Sequence, residues 1–331
     1  MPVTRPILWD IYEEHLGEAA WLWEQWEESL DSALYAIGDV AVGPEERLLA
    51  HLDGLVLGGE PVARKLLLPA LGSDDLGEVR AATWALVQAE DADHQDAVFE
   101  AMAAAAPPVQ AAMGRAVGLC PKADISRLMP LWAEGSPTVK AMVMDIFAPR
   151  EPQWVRERID PAFRGGQPPL IAAALRAVRR YRDREFVEHV RFALQYQQPE
   201  ILRESLTTGL WLGMKDTWAV CRTVAAGQSD DCRLALGLLG ISPDLKDREL
   251  VRGRAMDPGV ARHALWALGF SADTKAADTL VQAMAKPEFA KVAGEAFAAI
   301  TGLALVGDFA RPGESVGPDV EEVKPEDPPP V

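Results

Sequence analysis

The sequence predicts an all-α chain folded as an α-solenoid, and three observations predict it. A proline followed two residues later by an apolar residue recurs in one frame, at Pro107–Val109, Pro137–Val139, Pro169–Ile171, Pro199–Ile201, Pro258–Val260 and Pro287–Phe289. These prolines are separated by 30, 32, 30, 59 and 29 residues, so the 59 is a double step whose missing member falls at Ser229. Each proline precedes a run rich in Ala, Leu and Trp. After each run come a short polar turn, usually with Asp, and a second amphipathic stretch. Proline fits the first turn of a helix, where its missing N–H costs no hydrogen bond. Two helices of about ten to twelve residues plus their turns fill such a period, and a pair this small must stack on neighbours to bury its apolar face.

The elements follow in order. "ILWDIYEEHLGEAAWLWEQWEESL" reads as one long helix with Tyr12, Leu16, Ala19, Trp23 and Trp26 on one face. It is expected to cap the array, with Glu13, Glu14, Glu18, Glu24, Glu27 and Glu28 on a solvated outer side. Trp21 points away from the apolar face and is a candidate partner contact. "GPEERLLAHLDGLVLGG" reads as a helix started at Pro44 and ended at Gly58-Gly59, and "EPVARKLLLPAL" as another. "GEVRAATWALVQAED" is a repeat copy without proline, which makes eight copies in all. "DPGVARHALWALGFSAD" reads as a copy capped by Asp257 and opened by Pro258. The chain therefore divides into a cap at 1–59, an array at 60–302 and an acidic, Pro-rich tail at 303–331. The tail has too little apolar bulk to fold and is expected to be disordered.

Composition narrows the function. Apolar residues make up 49% of the 331, enough for a core along the array. The net charge of −17 and pI near 4.8 oppose nucleic-acid binding, which needs a basic surface. Cys120, Cys221 and Cys232 make no CxxC pair, so they read as small buried hydrophobes in a reducing compartment. No apolar run is long enough to span a membrane, and the N-terminus lacks a signal sequence; a cytoplasmic location is expected.

The histidines, at 15, 51, 94, 189 and 263, show no HExxH and no zinc spacing with cysteine. No phosphate-binding glycine loop and no GxSxG occur. No catalytic, cofactor-binding or metal-binding residue is nominated, and no cofactor is expected. One reversal of charge stands out. Arginines 150, 156, 158, 164, 176, 179, 180, 182, 184 and 191 form a positive island without lysine. It serves either as salt bridging between repeats or as a docking point for an acidic loop or terminus. Arg179, Arg180 and Arg182 are the nominated contacts. Arginine suits both roles because its planar fork pairs with carboxylates and stacks on aromatic rings.

The helix–Asp turn–helix pattern, clearest in "LGFSADTKAADTLVQAMAK", resembles HEAT-like repeats over about residues 60 to 302. That family includes di-iron hydroxylases, DNA glycosylases and bilin lyases, so the resemblance leaves room for an enzyme. The hydroxylases use His-Glu dipeptides, whereas Glu14-His15 and Glu188-His189 have the reverse order. "HLGEAAWLW", "EERLLAHLDGL" and "EAFAAITGL" resemble an uncharacterised bacterial HEAT-like family encoded near type VI secretion components. The resemblance implies an adaptor or chaperone for a secreted effector, or an immunity protein covering a basic toxin. The expected function is a non-enzymatic protein-binding scaffold, with the second helices presenting the curved surface. Its partner is a basic or mixed-charge protein, with no nucleic acid and no membrane.

Overall fold

The computed structural model describes residues 7–228 and 232–303. Among these there is no strand: the chain is a series of helices packed in neighbouring pairs, as the repeat predicts. The N-terminal region holds α1 (Trp9–Asp31), α2 (Ile37–Val40), α3 (Glu46–Leu57), α4 (Gly59–Val62) and α5 (Leu68–Ala70). The array has eight first helices. They are α6 (Leu76–Gln88), α8 (Pro107–Leu119), α10 (Pro137–Phe147), α12 (Pro168–Tyr181), α14 (Pro199–Trp211), α16 (Cys232–Gly240), α18 (Ala261–Leu268) and α20 (Pro287–Thr301). Between them lie the second helices α7 (Ala92–Ala104), α9 (Met129–Glu134), α11 (Pro152–Gly165), α13 (Val187–Ala193), α15 (Asp216–Ala225), α17 (Leu245–Arg254) and α19 (Ala277–Met284).

The repeated proline does what its chemistry predicts in α8, α10, α12, α14 and α20, each of which opens with it in the first turn. Pro258 differs. It lies in a turn, and α18 begins only at Ala261, because Val260 N closes a turn on Asp257 O and Val260 itself is not helical. Ser229 and residues 304–331 lie outside the described residues, and so does the expected tail. Pro44 does not start a helix either. It sits inside a π-helical stretch, Ala41–Glu45, that runs into α3. A second π stretch, Ala63–Leu67, precedes Pro69. In both places the wider turn accommodates a ring that would otherwise collide with the carbonyl four residues back.

The first helices stack directly on one another in a row that α1 extends at its start. Close stacking demands small residues. A Cβ on Gly77 of α6 would lie 2.8 Å from the Ala20 carbonyl oxygen of α1, and one on Gly240 of α16 would lie 2.7 Å from that of Ala267 in α18. Glycine is what allows these backbones to meet. The apolar stripe of α1 is seated as expected, with Leu16, Ala19 and Trp23 buried. Glu27, expected outside with its neighbours, instead accepts from Arg115 of α8 at 3.2 Å.

The second helices are tied to each other by capping aspartates. Asp183 and Asp244 each accept a backbone N–H at a second-helix start. So does Asp273, ahead of α19. Each also receives an arginine from the preceding second helix: Arg156 reaches Asp183 at 2.7 Å, Arg222 reaches Asp244 at 3.5 Å, and Arg252 pairs with Asp273. Arg191 pairs with Asp216, the first residue of α15, at 3.0 Å. Buried Asp247 completes the Arg222 contact, receiving Nε at 2.6 Å and Nη2 at 3.0 Å, with Ser242 Oγ donating at 2.6 Å. The aspartate repeated in the sequence thus caps one helix and clamps the previous one.

The ends of the row also meet. At about 35 Å, α1 is longer than any first helix of the array. Its last residue, Asp31, pairs with Arg233 of α16, and its carbonyl accepts from Trp266 Nε1 of α18 at 3.0 Å. Arg233 also lies over the Trp266 ring, 4.1 Å from its centroid. These contacts join residues more than 200 apart in sequence and tie the start of the row to α16 and α18.

Candidate binding cavity

The exposed faces of the middle first helices, α8, α10, α12 and α14, line a cavity of about 1450 Å³. The sequence reading gave the presenting surface to the second helices, whereas this cavity is lined by the first. The reason lies in the packing just described. Helices rich in Ala and Gly pack directly on one another, so their exposed faces form one continuous inner layer. The second helices, linked mainly through arginine–aspartate pairs, form the outer layer.

Helical spacing selects what each element contributes. From α14 come Glu200, Glu204, Thr207 and Trp211, three or four residues apart, with Arg203 beside them. Arg176, Arg179 and Arg180 come from α12, and Arg182 from its end. Asp145 comes from α10 and Arg115 from α8. Six arginines therefore face three carboxylates among the described lining residues.

The pairing inside is uneven. Arg176 grips Asp145 with two bonds, Nε at 2.9 Å and Nη2 at 2.6 Å, and donates Nη1 to Glu204 at 3.1 Å. Arg179 donates to the other Glu204 oxygen at 2.8 Å. Burial works against the Arg176 charge, but the bonds to Asp145 and Glu204 outweigh it and hold its pKa above the ordinary arginine value. Asp145 and Glu204 are thus committed to two of the arginines. Arg180 and Arg182 stand exposed at the same rim, and Arg182 lies over the Trp211 ring, 5.5 Å from its centroid.

Arg182 also has an unusual backbone. Its φ of 51° is left-handed, at the C-terminal turn of α12 where glycine is favoured. A side chain there costs about 1 kcal/mol. The turn is closed by Arg182 N donating to Arg179 O and Asp183 N to Val178 O. The result is that Arg182 is aimed across Trp211 from a fixed base.

The sequence-nominated arginines are therefore brought together at one rim, with Trp211, Arg176, Arg203, Arg115 and Glu204 added by the fold. Trp21 is half exposed on α1 and does not line this cavity. The positive island of the sequence splits. Arg150 donates to the carbonyls of Cys120 at 2.6 Å and Gly118 at 3.3 Å, closing the end of α8. Arg158 lies 3.7 Å from the Trp154 ring centroid. Arg156, Arg164 and Arg191 are in ion pairs on the second helices. Salt bridging between and within repeats accounts for some members of the island, and Arg176, Arg179, Arg180 and Arg182 line the cavity. Trp211 had a signal in the sequence: with Glu200, Glu204 and Thr207 it continues a polar stripe at helical spacing, the wrong place for a core residue.

The other titratable groups serve the packing. His15 and His51 meet at 3.1 Å between their Nδ1 atoms, joining α1 to α3. His94 contacts Glu60 at 2.8 Å and His189 contacts Asp160 at 3.1 Å. All three cysteines are buried; burial, reinforced by the Asp247 charge, pushes the Cys221 thiol up to about 12 and keeps it protonated. No group of three or more metal-ligating side chains occurs among the described residues, and none of the helices searched there is long and apolar enough to cross a membrane.

No family model matches the chain, and no curated protein matches it. Among solved structures it is similar to a crystal structure of an engineered protein from the Northeast Structural Genomics Consortium. The identity is 14% and the TM-score 0.30, over 86% of this chain and 78% of that one. At that score the likeness carries no argument, and the fold assignment rests on the helix packing itself.

Proposed function

We propose that the protein is a non-enzymatic binding scaffold whose arginine-lined cavity receives an acidic segment of a protein partner. One observation carries the reading: in a chain of net charge −17, the concave lining holds twice as many arginines as carboxylates. A concave surface focuses its potential, so a local positive lining attracts anionic groups in spite of the overall charge. Stacked repeats present that lining preformed, which keeps the ordering cost of binding low. An acidic exterior around a positive cavity fits a mixed-charge partner. The resemblance to the secretion-associated family makes that partner an effector and this protein its adaptor or chaperone. The strongly acidic total charge favours a second reading, an immunity-type inhibitor that covers a basic toxin.

The test is a titration of fluorescently labelled 20-residue oligoglutamate and oligolysine peptides against the whole protein. Binding of oligoglutamate that weakens with salt and is lost in the Arg180→Glu, Arg182→Glu double variant is the expected result. Equal binding by wild type and double variant, or preference for oligolysine at this cavity, rejects it. A toxin that is lethal without this protein, and held without need of Arg180 and Arg182, selects the immunity reading.

A further inference from the structure

We infer that the acidic segment carries an aromatic side chain that seats on Trp211; this rests on the scaffold reading above and specifies its ligand. Of the ten tryptophans in the chain, only Trp21 and Trp211 are exposed, and only Trp211 lines the cavity. It is 57% exposed, on a stripe whose other members are charged or hydroxylated. An indole there contributes nothing to the core.

Its position is nonetheless built. Trp211 ends α14, and the chain then turns through Gly213, whose φ is 75°. Gly213 N donates to Leu210 O and Met214 N to Gly209 O, each at 2.9 Å. Arg184 Nη2 donates to the Leu212 carbonyl at 3.2 Å from the neighbouring repeat. The backbone carrying Trp211 is therefore held from both sides. On the cavity side Arg182 is aimed at the ring from a left-handed residue, a conformation that costs energy and gives α12 no better ending than glycine would. Strain retained at a cavity rim points to a role in binding.

The two groups select a ligand. Trp211 offers an open ring face for an aromatic partner, and Arg182 and Arg180 offer guanidinium forks for carboxylates beside it. A polypeptide with acids flanking an aromatic residue supplies both. A nucleotide also combines a ring with negative charge, but its single ring and phosphate chain would occupy only part of a lining contributed by five successive first helices. The cavity spans helices α8 to α16, the extent of a peptide segment.

The experiment is selection of a phage-displayed random 12-residue peptide library on the full chain, with the Arg180→Glu, Arg182→Glu variant as counter-selection. Enriched peptides are expected to hold two or more acids and one aromatic residue. Replacing that residue by Ala should weaken binding about ten-fold on wild type and less than two-fold on Trp211→Ala. The Trp211→Ala change removes an exposed side chain, so circular dichroism should show an unaltered fold. Acid-rich winners without an aromatic residue, or an equal loss on both proteins, overturn this inference and leave the scaffold reading standing. Winners without acids overturn both. Displacement of the peptide by ATP or a single-stranded oligonucleotide at lower concentration than unlabelled peptide overturns the assignment of a peptide ligand.

Discussion

The protein uses arginine in two places, and the two differ in how the charge is satisfied. On the outer layer an arginine of one second helix meets the aspartate that caps the next, as Arg156 meets Asp183, Arg222 meets Asp244 and Arg252 meets Asp273. Charge and hydrogen bonds are matched within the chain. On the inner layer Arg176 and Arg179 are matched by Asp145 and Glu204, and Arg180 and Arg182 then stand at the same rim beside an exposed tryptophan. An array gains stability from the first arrangement, and the second leaves charge open to the cavity. The same residue type reads alike in the sequence and does opposite work in the fold.

The comparison breaks most sharply at its most buried member. Asp247→Ala removes a carboxylate that is 1% exposed and bound by Arg222 and Ser242. It should cost about 2 kcal/mol, because the buried Ser242 hydroxyl loses its acceptor, while the half-exposed Arg222 keeps Asp244 and water. A urea titration followed by circular dichroism measures it. A loss under about 0.5 kcal/mol, the range of an ordinary surface substitution, contradicts a stabilising outer ladder.

The inner layer should respond in the opposite way. Arg180→Glu with Arg182→Glu is expected to weaken oligoglutamate binding more than ten-fold at low salt and to leave the urea midpoint unchanged. Unfolding of this double variant would place the two arginines in the structural class. A finer separation comes from Arg182→Gly. Relief of the left-handed backbone outweighs the added freedom of glycine in the unfolded chain, so stability should rise by roughly 0.5 kcal/mol. Peptide affinity should fall in the same protein. Loss of both stability and affinity would mean that the Arg182 side chain holds the fold.

The smallest expected effect separates the packing of the N-terminal helices from the arginine rim by pH. Burial, and then the nearby His15, lowers the His51 pKa below its ordinary value of about 6.5. The unfolded chain takes up that proton near pH 6.5, and the folded chain resists it. This contribution to stability is fully present above about pH 6.5 and is lost as pH drops from there towards the depressed folded value. Urea midpoints between pH 7.5 and 5 should show this slope in wild type and a shallower one in His51→Gln. Binding at the arginine rim should not follow it, since guanidinium groups stay charged throughout.

Much of the fold was legible because its signals are local. Pro107, Pro137, Pro199 and Pro287 open helices for a reason contained in one residue, and Ser136 caps α10 by accepting from Val139 N. The stripe of Leu16, Ala19 and Trp23 is fixed by spacing alone. Pro258 misled because Val260 N closes a turn on Asp257 O and Val260 itself, with φ −133°, is not helical, so the helix starts one residue later. The site was partly legible. An arginine island can be seen in a sequence, but Arg150 and Arg180 look alike there. Only their neighbours, carbonyls of α8 for one and an open cavity for the other, tell them apart.

The sequence by itself determined the helical repeat, its period and the face each helix buries, because these follow from side-chain spacing along one helix. Tertiary structure decided which layer faces inward, and that α1 reaches across to Arg233 and Trp266. It also decided that Trp211 and Arg182 share a rim. Those outcomes depend on how closely successive backbones approach, at residues such as Gly77 and Gly240. Small differences in that spacing accumulate over eight repeats into curvature, and curvature is a property of the whole stack that no single period contains.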